Sequence, residues 1–260
     1  MVEIPESHPR RTSLLSREKI VNATKEGLLA DSAMIAHGRG EAFDYLLGEK
    51  TNDSARLAIK ESAARLLSSK HPIISVNGNT AVLAGKSLIR VAAVLNCPIE
   101  INIYYRTVKR INNLYLLLEN EKMLLAQEQP PTNWVGDWNS TVMAVEILGK
   151  ENDGRIEGLE GPRSICSAKG IEKADVILVP LEDGDRCEAL ISLGKQVLVV
   201  DLNPMSRTAK MATVTIVDEI SRVAKLLLED VVDGDCRPTK WNNDENLIQA
   251  LKIIAKNATP

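Results

Sequence analysis

The chain has 260 residues, with 32 lysines and arginines against 35 aspartates and glutamates, for a formal net charge of −3. With 44% apolar and 26% charged residues the composition is that of an ordinary folded chain, which excludes wholesale disorder. The near balance of charge argues against bulk nucleic acid or an anionic membrane as partner.

The first dozen residues, MVEIPESHPRRT, are polar, carry two prolines and offer no apolar signal core. Leu14, Val21 and Leu28 then recur at helical spacing. Asp31 is placed to cap a second helix carrying Met34, Ile35, Phe43, Leu46 and Leu47, with Gly48 at its end. A third helix is expected from about Asp53 to Leu67, with Leu57, Ala64 and Leu67 inward. Residues 1–70 therefore read as a helical region.

The pattern changes at His71. HPIISV is a short β-branched strand, followed by a buried helix through Ala81, Ala84, Leu88 and Leu95. IEINIYY, from Ile99 to Tyr105, reads as the next strand, with a long helix after it to Leu125. ADVILVPL from Ala174, QVLVVDL from Gln196 and ATVTIVD from Ala212 complete a set of five strands. Their apolar character is nearly continuous, which means that both sheet faces are covered, as in a parallel sheet. Strands alternate with helices, so the fold class is α/β. Residues 127–161, with Pro130, Pro131, Trp134, Trp138 and a charged, glycine-rich stretch, read as an irregular connection, a flap or a dimer contact. The expected organisation is one α/β domain over 1–260: helical region 1–70, core 71–230 with the insertion, and a C-terminal tail and helix over 231–260.

Four cysteines, Cys97, Cys166, Cys187 and Cys236, are widely spaced and form neither a zinc pattern nor a disulfide framework. They suit a reducing cytoplasm. The longest apolar run, Val176 to Leu181, is far below the roughly 18 residues of a membrane span.

Two nucleotide signatures fail. AGKS at 84–87 lacks the earlier glycine of a phosphate loop and sits inside the helix, and HGRGEAF has Phe43 where a dinucleotide fingerprint needs a small residue. In their place Asn77-Gly78-Asn79-Thr80 joins a strand to a helix N-terminus, where exposed N–H groups suit a phosphate or where Asn79 or Thr80 simply caps the helix. LEDGDR at 181–186 puts Glu182, Asp183 and Asp185 at a strand's carboxyl end, suited to Mg²⁺ or ribose hydroxyls, and Arg186 to a phosphate. DLNPMSRT repeats the pattern on the next strand: Asp201 and Asn203 face a ribose or base, and Arg207 and Thr208 a phosphate. Arg10, Arg11, Arg17, Arg39, Arg106 and Arg110 supply a basic set toward that edge, with Arg11 and Arg110 better read as plain surface residues. His37 is a candidate base beside Gly38, or a helix-end residue. Cys187 reads as structural.

Taken together, IPESHPR, AHGRGEAFDYLLGEKT, VNGNTAVL, EINIYYRT, ADVILVPLEDGDRCEAL and DLNPMSRTA resemble the archaeal 4-phosphopantoate–β-alanine ligase (phosphopantothenate synthetase) family over roughly residues 1–110 and 160–225. The resemblance implies a Rossmann-like, homodimeric, ATP-dependent enzyme of coenzyme A biosynthesis that joins 4-phosphopantoate to β-alanine and releases AMP and diphosphate. It places ATP contacts on Arg17, Arg39, Asp201-Leu202-Asn203, Arg207-Thr208 and Glu219-Ile220, where Glu219 stands for an expected amide and Thr208 for a serine. The expected substrate contacts are Asn77, Gly78, Asn79 and Arg106, with His37, Asp183 and Arg186 as candidates for the chemistry. Mg²⁺ is expected with the ATP, its ligands left open. The competing classes are an ATP-dependent kinase, which leaves ADP, and a nucleotide-sensing protein without turnover.

Overall fold

The structure, a computed structural model, describes residues 4–132, 134–180 and 183–258. Three helices come first: α1 (Arg11–Lys25), α2 (Ser32–Leu47) and α3 (Asp53–Ser68). Asn52 starts α3 by accepting the N–H of Ala55 at 2.9 Å. Gly48, at φ 88°, stops α2 in the left-handed conformation that glycine adopts without steric cost. Asp31 stands at the α2 N-cap position, but its side chain caps nothing.

The rest is a layered α/β body. Its strands are β1 (Pro72–Val76), β2 (Ile99–Ile101), β3 (Ile147–Leu148), β6 (Val176–Pro180), β7 (Gln196–Val200) and β8 (Val214–Ile216). They form one sheet in the order β3-β2-β1-β6-β7-β8, all neighbours parallel. Two further strands, β4 (Gly154–Arg155) and β5 (Ile165–Cys166), make a small antiparallel pair. The helices of the body are α4 (Gly78–Leu95), α5 (Val108–Leu125), α6 (Trp138–Met143), α7 (Gly184–Ser192), α8 (Arg207–Met211), α9 (Ile220–Asp233) and α10 (Asn243–Asn257).

Strand alternation gives the sheet two apolar faces. Ile74, Val76, Ile99, Ile101, Leu178, Leu198 and Ile216 pack under α3, α4, α5 and α9, whereas Ile73, Ile177, Val179, Val197 and Val199 pack under α7 and Ile171. Continuous apolar strands are the consequence of that double cover. The order reverses direction between β1 and β6, which opens a crevice at their carboxyl ends, where open α/β sheets bind ligands.

Several expectations need correction. The segment 127–161 is not merely an irregular connection: it contributes the edge strand β3, and α6 places Trp138 in the main core at 5% exposure. The sheet thus has six strands rather than five. β2 ends at Ile101 instead of Tyr105, and Tyr104 and Tyr105 are exposed. Leu57 points outward, because α3 buries the stripe Ala55, Ala58, Ile59, Ala63 and Leu66 instead. Met34, Ile35 and Leu46 of α2 are also exposed.

Asp175, before β6, ties the sheet to the end of α3. Burial alone would raise its carboxyl pKa, but the Ser69 hydroxyl and the N–H groups of Lys70 (3.0 Å) and His71 (2.9 Å) hold it down to about 2. A depressed folded-state pKa contributes stability above the unfolded value near 3.9, and that contribution is lost as pH falls toward 2. Asp175→Asn is therefore expected to lower stability at pH 7 and to flatten the stability–pH curve between about pH 4 and 2 in urea titrations. A curve of unchanged slope would contradict this.

Candidate nucleotide site

The carboxyl ends of β6, β7 and β8 form the floor of a cavity of about 360 Å³, and α1 and α2 form its roof. From the roof come Ser13, His37, Arg39, Gly40, Glu41 and Asp44; from the β7 edge come Asp201, Leu202, Asn203 and Thr208; from the β8 edge come Asp218, Glu219, Ile220 and Arg222. Asn79 and Thr80 close it at the N-terminus of α4.

The β7 turn is built around Asp201. Its Oδ1 accepts the N–H of Asn203 at 2.9 Å and its Oδ2 the hydroxyl of Ser206 at 2.5 Å, while Ser206 caps α8 through the N–H of Ala209. Burial raises the Asp201 pKa; the Ser206 and Asn203 hydrogen bonds and the charge of Arg39 oppose it. Glu219 is spent locally. Its carboxylate caps α9, accepting from the N–H groups of Ser221 (2.9 Å) and Arg222 (3.2 Å). Burial lowers the pKa of His37, although Glu41 and Glu219 pull the other way, so the imidazole is neutral at pH 7.

A second cavity, of about 220 Å³, adjoins the first and shares Ala36 and Asn79 with it. Its wall is largely apolar, with Leu28, Leu29, Ala33, Ile103 and Tyr104, beside Asn77, Gly78 and Arg110. Asn77 caps α4 by accepting from Thr80 N–H at 3.0 Å, and its Nδ2 donates to Pro180 O at 3.1 Å, which bridges β1 to β6 across the crevice. The absence of a side chain at position 78 has a packing reason: a Cβ there would lie 2.6 Å from Cδ2 of Leu29.

The other expected residues lie outside both linings. Arg17 donates to Glu41 at 2.6 Å. Arg207 forks onto Asp185 and Glu188. Asp183 caps α7 and, with Asp185, binds Arg163 at 2.5 and 3.2 Å. Arg186 is buried behind them at 3% exposure. Arg106 donates to Gly149 O at 2.5 Å, and burial lowers its pKa. Glu182 lies outside the described residues. Arg110, expected on the plain surface, instead borders the second cavity.

Among the cavity residues that went unread in the sequence are Asp44, Asp218 and Arg222. Asp218 ends the ATVTIVD string at a strand's carboxyl end, the same signal that Asp201 gives. Asp44 and Arg222 carry no such mark.

A family model described as phosphopantothenate/pantothenate synthetase matches residues 54–257. The chain belongs to this family. A 4-phosphopantoate–β-alanine ligase of Thermococcus kodakarensis is 47% identical over 229 residues, 88% of this chain and 80% of that protein. Proteins of the same name from Methanospirillum hungatei and Methanosarcina mazei are 46% and 44% identical over 84% and 85% of this chain, and 81% and 79% of their own. The phosphopantothenate/pantothenate synthetase match begins in α3 and ends in α10, and so takes in the whole parallel sheet.

Proposed function

We propose that the chain is a 4-phosphopantoate–β-alanine ligase that consumes ATP through an acyl-adenylate. The observation that carries the proposal is a cavity of 360 Å³ at the carboxyl edge of the sheet, joined to a second, mostly apolar cavity, in a chain of this family. The first suits an adenosine: Leu202 and Ile220 face a base, Asp201 and Asn203 a ribose, and Arg39 the phosphates. Thr208 belongs to the same lining, whereas Arg17 and Arg207 lie outside it, held by Glu41 and by Asp185 with Glu188.

The second cavity suits 4-phosphopantoate. Its Leu and Ile wall meets the hydrocarbon skeleton, while Asn77, Asn79 and the N-terminus of α4 meet an anion. Because the two cavities share Ala36 and Asn79, the pantoate carboxylate can approach the α-phosphorus of ATP there. The carboxylate oxygen forms a bond to phosphorus as diphosphate leaves. The β-alanine nitrogen then attacks the acyl carbon, AMP leaves with the bonding electrons, and an amide results. β-Alanine must first shed an ammonium proton. His37, neutral and in the cavity, is the candidate acceptor, whereas Asp183 is already engaged by Arg163.

A magnesium site built on the LEDGDR loop does not fit the described residues. Asp183 and Asp185 are occupied by arginines, and among the described residues no group of three or more metal-binding side chains exists. Magnesium arriving as the counter-ion of the ATP phosphates needs no such group.

Chromatography of the nucleotide products tests the reading: AMP with diphosphate supports it, while ADP would make the chain a kinase and no turnover a sensor. For the second cavity, Gly78→Ala is expected to raise the KM for 4-phosphopantoate about 10-fold, and Leu29→Ala in the same chain to restore it, because the obstruction is the Leu29 methyl. A rise in the KM for ATP alone would transfer the turn to the nucleotide.

Homodimerisation is part of the same proposal. Ile35, Tyr104, Tyr105 and Val108 are 67%, 59%, 56% and 81% exposed, and a twofold contact is the commonest way to cover such side chains. Light scattering is expected to give about twice the 28.5 kDa chain mass, and a monomer mass would overturn it. Among the described residues no helix is long and apolar enough to cross a membrane, which is compatible with a cytoplasmic enzyme.

A further inference from the structure

α2 carries His37, Arg39 and Gly40 into the first cavity, yet of its 16 residues only Asp44 and Leu47 are buried. Burial stabilises in proportion to the apolar area removed from water, so broad apolar contact does not hold this helix. Specific ties hold it instead: Asn79 donates to Ala33 O at 3.0 Å near its start, Arg10 and Arg17 reach Glu41 at 3.0 and 2.6 Å in its middle, and the buried ties lie near its carboxyl end. Leu47 packs into a small cluster with Ala209, Val217 and Leu247. Asp44, 5% exposed, receives the fork of Arg222: Nη1 donates to its Oδ2 at 3.2 Å and Nη2 to its Oδ1. Arg222 also donates to Oδ1 of Asp218 from Nε (2.8 Å) and Nη2 (2.5 Å), and Asp218 accepts the hydroxyl of Thr51 at 2.5 Å. A planar guanidinium spans both carboxylates at once, which an ammonium cannot do.

We propose that Arg222 is a positioning residue that acts through Asp44: the pair fixes α2 against the β8 edge and thereby sets Arg39 and His37 over the nucleotide. Asp44 and Arg39 are about one and a half turns apart on one helix, so a tilt at the first is carried to the second. The close approach of α2 to the β7 turn shows how little slack there is: a Cβ on Gly40 would lie 3.3 Å from Cδ1 of Leu202. Removing Arg222 would leave the buried carboxylates of Asp44 and Asp218 without compensation, whereas removing the charge of Asp44 leaves Arg222 paired with Asp218 and releases only the half of the fork that holds α2. The functional half of the proposal rests on reading the first cavity as the ATP site; the structural half does not.

The test uses the full chain with Asp44→Asn, which keeps shape and loses charge, and Arg222→Lys, which keeps charge and loses the fork. Hydrogen exchange is measured without ligand on α2 and, for comparison, on α4, and the affinity for a non-hydrolysable ATP analogue is measured by calorimetry. In Asp44→Asn the amides of α2 are expected to exchange about 10-fold faster with α4 unchanged, and the analogue to bind about 10-fold more weakly. Arg222→Lys should fall between the variant and the wild type. A residue of merely structural importance would speed exchange everywhere and leave the affinity of the folded protein as it was. Wild-type exchange in α2 overturns the proposal, as does a loosened α2 with unchanged affinity. Should Asp44→Asn not fold, Arg222→Lys carries the same two readouts. An analogue that does not bind the wild-type chain overturns the ATP reading instead, and the exchange of α2 then still decides whether the tie exists.

Discussion

Arg39→Ala is expected to reduce ATP-dependent adenylation about 100-fold, with Arg39→Lys recovering only part of the loss, because an ammonium replaces the charge but not the two-pronged contact to phosphate oxygens. Arg39 lines the first cavity, and its charge bears on the buried carboxylate of Asp201. Arg207, by contrast, is already committed to Asp185 and Glu188 at the surface. Its replacement by alanine is therefore expected to cost less than that of Arg39. Single-turnover formation of diphosphate separates the two variants, and equal losses would contradict the placement of the triphosphate under α2.

The largest effect on stability is expected from Trp138→Ala: about 3–5 kcal/mol in urea unfolding, as for other buried tryptophans. The indole is 5% exposed, donates from Nε1 to Leu125 O at 3.3 Å, lies edge-on to Trp134 with ring centroids 5.4 Å apart, and has the Arg90 guanidinium over its face. It anchors α6 and, through it, the edge strand β3. Trp138 lines neither cavity, so the affinity of the folded protein for ATP should be unchanged. A loss below about 1 kcal/mol, the ordinary surface value, would return residues 127–161 to the status of a loosely attached flap.

What the sequence revealed and what it withheld have physical causes. Five strands were legible because double cover forces continuous β-branched runs, but the cap of α4 was misplaced by two or three residues: Asn77, not Asn79 or Thr80, accepts the first free N–H, because the helix starts directly after β1. β3 was not legible: two residues, Ile147 and Leu148, carry no period, and pairing with β2 alone makes them a strand. The outward turn of Met34 and Ile35 could not be read either, since helical spacing marks a stripe but not the direction in which it points. In the site, acids and amides at strand ends announced Asp201 and Asn203. Arg222 did not announce itself, because an arginine on an amphipathic helix looks like a solvated face until Asp44, 178 residues earlier, is brought against it. Gly78 pointed to close approach, and in the structure the group that approaches is Leu29.

The central claim is that the pantoate carboxylate attacks the α-phosphorus of ATP at the junction of the two cavities. The most direct measurement follows ¹⁸O from the labelled carboxylate of 4-phosphopantoate through one turnover with β-alanine, by mass spectrometry of the nucleotide. Attack at the α-phosphorus predicts that each AMP carries one ¹⁸O atom and that diphosphate carries none. Unlabelled AMP, or ADP accompanied by labelled orthophosphate, would contradict it.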